Sequence, residues 1–234
     1  MQQAYRILRV VAETQTIRMT LMLTPGKLVL QELCLACTAL AQENSNGIKV
    51  AVLDFQDSAD VQNTDNEAVS EDDIRQAAQA VQALRLPVLA VVRSPVSLAA
   101  SELIHAADLT LVAHHATLVI LGASDNTQDT LTGVEALRMG LVSWSVSSRD
   151  IDVELERILG MLRDKSAVAL RLTKESVRLG AAHASHGQVE GVTTQLDALQ
   201  QINEFYLAHV MQTADAVEGL HAFLEKRQPH WKNQ

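Results

Sequence analysis

The 234-residue chain is long enough for one large domain or for a domain with a small appendage. Its residues are 47% apolar but only 3% aromatic, so the core must consist of Leu, Val, Ile and Ala, and modules that stack nucleic-acid bases are disfavoured. The net charge of −9 argues against a phosphate-backbone partner. Since no apolar run approaches the roughly 18–20 residues that span a bilayer and the N-terminus does not resemble a signal peptide, we expect a cytoplasmic protein that binds neither nucleic acid nor membrane.

The first 150 residues alternate predicted strands and helices. Strands are predicted where apolar residues alternate or run continuously, at 5–11, 16–23, 48–55, 87–92, 109–113, 117–121 and 141–146. Helical spacing occurs at 27–42, from Ser70 to about residue 84, after Arg93 and at 133–140. The polar stretches 56–70 and 122–132 predict loops. This alternation predicts an α/β layer.

The last third of the chain has a different pattern. Residues 151–179 and 189–225 form long helical stretches with almost no strand signal. The sequence therefore predicts two domains, which are an α/β core at residues 1–150 and a helical region at residues 151–234.

Neither the cysteines nor the histidines form a pattern that predicts a metal site. Cys34 and Cys37 have CxxC spacing, but they lie inside a predicted helix on its apolar face, which favours two buried core thiols over a redox or zinc motif. The adjacent His114 and His115 end a strand and cannot both face one ion. The histidine pair at 183 and 186 lacks a nearby carboxylate, so we expect no metal there either.

The stretch RSPVSLAASELIHAADL at residues 93–109 joins a strand to a helix through small residues. A strand, a turn of small residues and a helix N-terminus together point backbone N–H groups at an oxyanion. Such turns usually carry glycine, whereas this one has Leu98, Ala99 and Ala100. If the turn requires a positive φ, alanine is strained there, and if it is helical, alanine can donate as glycine does. Because the chain has no GxSxG motif, the serines of this stretch do not predict a nucleophile.

Five phrases follow one another along most of the chain. They are FQDSAD at 55–60, LPVLAVVRSPVSLAASELIHAADLTLVA at 86–113, GVEALRMGLVSWSV at 133–146, KSAVALRLTKESVRLG at 165–180 and ADAVEGLHAFLEKRQPHW at 214–231. In this order they resemble the crotonase superfamily, the enoyl-CoA hydratase/isomerase family. The resemblance implies a crotonase-like repeated ββα core, followed by a helical C-terminal region that builds trimers.

The resemblance also implies a substrate, which is an acyl thioester of coenzyme A or of a carrier protein. Two backbone N–H groups hold the thioester oxygen in this family, and they match the N–H of Ala99 and the N–H at or near Asp57. Glu102 matches the first of the two glutamates that hydratases use as acid and base. The residues implied to line the substrate beside these positions are Leu98, Ala100, Ser58 and Gly122.

Two departures from the family pattern bear on activity. The second glutamate falls at or near Gly122, and about eleven polar residues stand where the family has a glycine-rich loop and a helix over the acyl pocket. The carboxylate of Asp57, which Ser58 follows in place of glycine, repels an oxyanion unless it turns away. Two-glutamate hydration is therefore not expected.

A single-acid isomerase, or an enolate-stabilising decarboxylase or lyase, makes fewer demands on such a site. The alternative is an inactive protein that binds thioesters or serves as an accessory subunit of a biosynthetic complex. In that case Glu102 only complements the dipole of its helix.

Lys226 and Arg227 match the basic end of the family's terminal helix. In the family this end often lies near the phosphates of coenzyme A, but a basic helix end also suits the helix dipole on its own. The resemblance implies a homotrimer or a hexamer, no metal, and no cofactor other than the coenzyme A of the substrate.

Overall fold

The computed structural model describes residues 5–42, 47–57, 68–121, 128–186 and 193–233. The chain divides into two compact units, residues 1–160 and residues 161–234. No helix in the described ranges is long and apolar enough to cross a bilayer.

A six-stranded sheet forms the centre of the first unit. Its strands lie in the order β1-β2-β3-β4-β5-β8, and only β1 runs antiparallel to its neighbour. A second sheet pairs β6 with β7 antiparallel. The strands are β1 (Arg9–Glu13), β2 (Thr16–Met22), β3 (Val50–Gln56), β4 (Val88–Val92), β5 (Leu109–Ala113), β6 (Thr117–Leu121), β7 (Gln128–Thr132) and β8 (Trp144–Val146).

The inner strands are continuous apolar runs because both of their faces are covered. Every residue of β4 is buried, and so are the first six residues of β3. The helices of this unit are α1 (Lys27–Gln42), α2 (Glu71–Ala83), α3 (Leu98–His105), α4 (Gly133–Arg138) and α5 (Ile151–Arg163), whose last turn belongs to the second unit. Ser70 begins α2 with a capping box to Asp73, and Thr132 begins α4 with one to Glu135.

Glu32, inside α1, anchors the segment that precedes β1. It is only 7% exposed, and its carboxylate accepts the N–H groups of Arg6 (2.6 Å), Ile7 (3.0 Å) and Leu8 (2.8 Å). Burial alone raises the pKa of Glu32, but these three hydrogen bonds outweigh it and the pKa lies below its ordinary value. The carboxylate therefore stabilises the fold above its unfolded pKa of about 4.3, and that contribution is lost as the pH falls through the lower folded pKa.

The second unit is helical. It contains α6 (Ala167–His186), α7 (Thr193–Phe205), a π-helical turn (Tyr206–Val210) and α8 (Ala214–Glu225). The C-terminal segment is tied to these helices, because Asp215 accepts the N–H groups of Lys232 (2.7 Å) and Asn233 (3.0 Å). Trp231 donates its indole N–H to the Asp164 carbonyl (2.6 Å).

Several segments differ from the expectations drawn from the sequence. The strand predicted at 5–11 forms at Arg9–Glu13, and the one predicted at 141–146 is confined to Trp144–Val146. Residues 128–132 form β7 rather than part of a loop, because they pair with β6. This pairing supplies their backbone hydrogen bonds, and the polar sequence of the segment does not predict it. The helical stretch predicted at 151–179 is interrupted at 164–166, and the one predicted at 189–225 contains the π-helical turn and a break at 211–213. Cys37 is buried as predicted, whereas Cys34 is only half-buried, and neither of them forms a disulfide bond.

Candidate active site at the carboxyl edge of the sheet

Asp57 and the segment before α3 leave the sheet at the same edge. Strands β3 and β4 run parallel, and their last matched pair is Phe55 with Val92. Asp57 follows β3 by one residue, and five residues lead from the end of β4 into α3. Carboxyl ends of parallel strands are where open α/β sheets place their ligands.

The segment 93–97, which we call the α3 entry segment, is held from both sides. The N–H of Val96 donates to the Thr117 carbonyl (3.0 Å) at the start of β6, and the N–H of Ser97 donates to the Leu23 carbonyl (3.0 Å) just after β2. Ser97 then caps α3, because its Oγ accepts the N–H of Ala100 (3.4 Å). Elements distant in sequence therefore fix where α3 begins.

The cap formed by Ser97 does not bind two of the backbone N–H groups in the first turn of α3. Among the residues that the structure describes, the N–H groups of Leu98 and Ala99 have no hydrogen-bond acceptor. Ala99 is 9% exposed and lies within the regular helix, and the positive-φ residues other than glycine in the described ranges are Gln15, Lys226 and Asn233. Alanine therefore replaces glycine here without backbone strain, and its N–H is available as a donor.

Glu102 lies one turn further along α3. Its side chain is half-buried, and it makes no hydrogen bond or ion pair within the described part of the chain. Leu98, four residues before Glu102, is half-buried, and Ala100 is fully buried. An unpaired carboxylate three residues after an unpaired N–H is compatible with a proton-transfer role, and it is also a favourable charge near a helix N-terminus.

The other predicted site residues divide between described and undescribed segments. Asp57 is exposed, and its N–H has no acceptor among the described residues. Ser58 and Gly122 lie outside the described residues. Of the predicted donor positions, the structure therefore describes both Ala99 and Asp57, and the Asp57 side chain is exposed to solvent.

The serines and histidines near this edge are engaged with other groups. Ser101 is fully buried, and its Oγ accepts the N–H of Val119 (2.9 Å) on β6. The ring Nδ1 of His114 lies 2.9 Å from the Oγ of Ser145, and His115 makes an equal contact with Ser148. The described residues contain no group of three or more His, Cys, Asp or Glu side chains placed to hold a metal ion.

Lys226 and Arg227 belong to the second unit. Arg227 pairs with Glu218 through Nη1 (2.6 Å) and with Glu225 through Nε (2.6 Å). The hydrogen bond from Arg227, followed by one from the N–H of His230, holds the pKa of Glu218 at about 2. Lys226 is the left-handed residue that ends α8 and is exposed. Of the two, Arg227 is committed to structural ion pairs.

A buried charge network, absent from the predicted site residues, lies beside the α3 entry segment. Asp54 is fully buried in β3 and pairs with Arg18 (3.0 Å) and with Arg93, the first residue of that segment. Arg18 also pairs with Glu13 (3.0 Å), and Arg93 with Asp152 (2.6 Å). The signal in the sequence is one carboxylate inside the apolar run IKVAVLDF, because a buried carboxylate requires hydrogen-bond donors or a cationic partner.

Asp108, by contrast, lies at the opposite end of the strands. Its Oδ2 accepts the N–H of Val88 (2.7 Å), and its own N–H donates to the Val88 carbonyl (3.0 Å). This residue ties the amino ends of β4 and β5 together.

Residues 126–234 match the sequence model of the enoyl-CoA hydratase/isomerase family. Crotonyl-CoA hydratase of Syntrophomonas wolfei is 30% identical over 105 residues, which are 45% of this chain and 36% of that protein. The match thus spans little more than a third of the hydratase. Methylmalonyl-CoA decarboxylase of Escherichia coli is 26% identical over 187 residues, which are 69% of this chain and 68% of that protein.

Solved structures extend the likeness to the whole chain. An enoyl-CoA hydratase/isomerase from Mycobacterium paratuberculosis superposes with a TM-score of 0.75 at 18% identity, covering 99% of this chain and 100% of the other. At this identity the likeness establishes the fold alone, and it confirms the fold class predicted from the five phrases.

Proposed function

We propose, because this chain belongs to the crotonase superfamily, that it binds an acyl thioester at the carboxyl edge of its sheet and stabilises negative charge on the thioester oxygen. One observation carries the proposal, which is the unpaired N–H of Ala99 in the unstrained first turn of α3. Preorganised N–H donors and the positive end of a helix dipole are the groups that hold a developing oxyanion.

The reaction that this site supports best passes through an enolate. In an isomerase, a base removes a proton from the carbon next to the carbonyl, the electron pair moves onto the thioester oxygen, and the proton returns further along the chain. In a decarboxylase, the bond to a departing CO₂ supplies that electron pair, and a proton then reaches the carbon. Either reaction needs one oxyanion site and one proton carrier, and we assign these roles to Ala99 and Glu102.

Turnover measurements on defined thioesters test this proposal. We expect the protein to bind crotonyl-CoA in titration calorimetry without hydrating it, and to turn over a β,γ-enoyl-CoA or a 2-carboxyacyl-CoA. Glu102→Gln is expected to lower kcat by roughly 100- to 10,000-fold, which is the usual contribution of a positioned acid or base. Glu71→Gln, an exposed glutamate in the first turn of α2, is the matched control and should retain full activity.

The possible results distinguish a failure of the role assigned to Glu102 from a failure of the whole proposal. Turnover that is insensitive to Glu102→Gln would remove Glu102 as the proton carrier while leaving the oxyanion site in place. No binding of any acyl-CoA or acyl-carrier thioester would contradict the proposal as a whole.

A second candidate function is thioester binding without turnover. It is favoured by the exposed carboxylate of Asp57, because an aspartate at one donor position opposes the negative charge that catalysis must build up on the oxygen. Calorimetric binding together with no turnover on the three thioester classes would support this candidate. A protein of this kind would serve as an accessory subunit of a biosynthetic complex.

We further propose that the second unit mediates assembly into a homotrimer or hexamer. The support is an apolar stripe on α8, where Val217, Leu220 and Leu224 are half or more exposed and Phe223 is 80% exposed. Phe223→Glu is expected to convert the assembly to monomers in light scattering, because a charge cannot be buried unpaired in such a contact. His221→Gln, an exposed change on the same helix, should leave the mass unchanged, and a wild-type protein that is monomeric would refute the proposal.

For the phosphates of coenzyme A, Lys226 is the better candidate of the two predicted cations. It is exposed at the end of α8, and Arg227 already neutralises Glu218 and Glu225. Lysine acts on phosphate as a point charge and needs no fixed geometry.

A further inference from the structure

The carboxylate of Asp54 holds the first residues beyond the end of the β3–β4 ladder. The ladder ends at the pair of Phe55 with Val92. One residue further, Gln56 on β3 donates its side-chain N–H to the Asp54 Oδ2 (2.8 Å), and Arg93 after β4 donates from Nη1 to the Oδ1. We call Gln56 and Arg93, where the chain leaves the β3–β4 ladder, the two strand exits. Their backbones are not paired with each other, and the buried side chain of Asp54 links them.

Both of these exits lead directly to the proposed N–H donors. Gln56 is followed by Asp57, and Arg93 opens the α3 entry segment that leads to Ala99. Asp54 is fully buried, so its position is fixed by packing as well as by its hydrogen bonds. A displacement of either exit would change the distance between the two donors.

Each of the two arginines that pair with Asp54 also contacts a second carboxylate. Arg18, on β2, donates to the Asp54 Oδ2 (3.0 Å) and also holds Glu13 (3.0 Å). Arg93 extends its other nitrogen to Asp152 (2.6 Å) in the first turn of α5. Buried ion pairs contribute little net stability compared with apolar residues of the same size, and in some proteins their role is to select one structural arrangement.

We propose that Asp54 is a positioning residue which, through Gln56 and Arg93, sets the spacing of the Asp57 and Ala99 N–H groups. The inference rests on the proposed function for its catalytic consequence, but the geometric part concerns the protein without substrate. Two donors must both lie about 2.7–3.1 Å from one oxygen, and errors near 1 Å in such sites cost about 100-fold in rate.

Amide resonances and kinetics of Asp54→Asn test the inference together. The variant keeps the size of the side chain and removes its charge. In the substrate-free protein we expect the backbone N–H resonances of Asp57 and Ala99 to shift, and with thioester present we expect kcat to fall by about ten- to 100-fold with a smaller change in KM.

Glu32→Gln is the matched control, because it alters another buried carboxylate of the first unit that holds several donors. It should lower stability while leaving kcat and both amide resonances unchanged. If Asp54→Asn does not fold, Arg93→Lys retains the charge but loses the two-armed guanidinium, and the same resonance shifts are expected.

Unshifted Asp57 and Ala99 resonances in a folded Asp54 or Arg93 variant would overturn the inference, and so would equal shifts in Glu32→Gln. A wild-type protein that neither binds nor turns over thioesters would refute the proposed function instead. In that case the resonance measurement alone still decides whether Asp54 positions the two segments.

Discussion

Replacing Ala99 by proline is expected to reduce thioester turnover by about 100- to 1,000-fold, because it removes one N–H donor of the oxyanion site. Ala99 is the second helical residue and its N–H has no intrahelical acceptor, so proline removes no helical hydrogen bond. Because proline disfavours the helical conformation of the preceding Leu98, the ester variant described below separates loss of the N–H from this steric effect. In the described structure the Ala99 N–H has no other acceptor whose loss would confuse the result. Steady-state kinetics and titration calorimetry on the same thioester give the change in kcat and in Kd.

The matched control is Leu98→Pro, which removes the adjacent N–H instead. Position 98 is the first helical residue, and Ser97 before it has the extended conformation (φ −73°, ψ 170°) that a following proline requires. This variant should keep its fold and the Ala99 donor, so it should lose less activity than Ala99→Pro, and any loss reports on the Leu98 side chain that is implied to line the substrate. An ester bond at residue 99, made by incorporating lactate, removes the same N–H without the proline ring and should reproduce the Ala99→Pro loss. Equal activity of the two proline variants would refute the assignment of Ala99 as the donor.

Replacing Asp215 by alanine is expected to lower the free energy of unfolding by about 2–4 kcal/mol, since hydrogen bonds to a buried charge are among the strongest in proteins. Asp215 is 2% exposed, and its Oδ2 accepts the hydroxyl of Ser166, which caps α6 through the N–H of Ala169 (3.2 Å). Its carboxylate also accepts the N–H groups of Lys232 and Asn233. The first turn of α8, the start of α6 and the C-terminal segment therefore share one carboxylate.

Urea unfolding followed by far-UV circular dichroism measures the loss. Asp129→Ala, an exposed aspartate on β7, controls for the removal of a carboxylate and should change stability by no more than about 0.5 kcal/mol. Because Ser166 and Asp215 are in contact, a double-mutant cycle with Ser166→Ala should show coupling between them. An Asp215→Ala protein as stable as the control would show that the shared carboxylate has no net effect.

Local residue patterns predicted those helices and strands whose apolar spacing lies within the element itself. The helix predicted at 27–42 has the same bounds in the structure, and so do the strands predicted at 109–113 and 117–121. In each case, the spacing of apolar residues reports directly on which face is buried. The five phrases also predicted the fold, because together they resemble the crotonase superfamily.

Strand β7 was missed because its stabilising partner lies elsewhere in the chain. Residues 128–132 are polar except for Leu131, Asp129 and Thr130 are exposed, and no apolar alternation marks the segment as a strand. Their structure depends on pairing with β6, which the sequence of the segment does not encode by itself.

The sequence by itself determined the fold class, the position of Glu102 on a helix that follows a buried strand, and the small residues at the start of that helix. Whether alanine at 99 could replace glycine depended on its φ, and the structure decided this by placing it in a regular helical turn. That turn begins where it does because the carbonyls of Leu23 and Thr117 bind the entry segment, and because Asp54 holds Arg93. These are contacts between residues far apart in sequence, and only the tertiary structure brings them together.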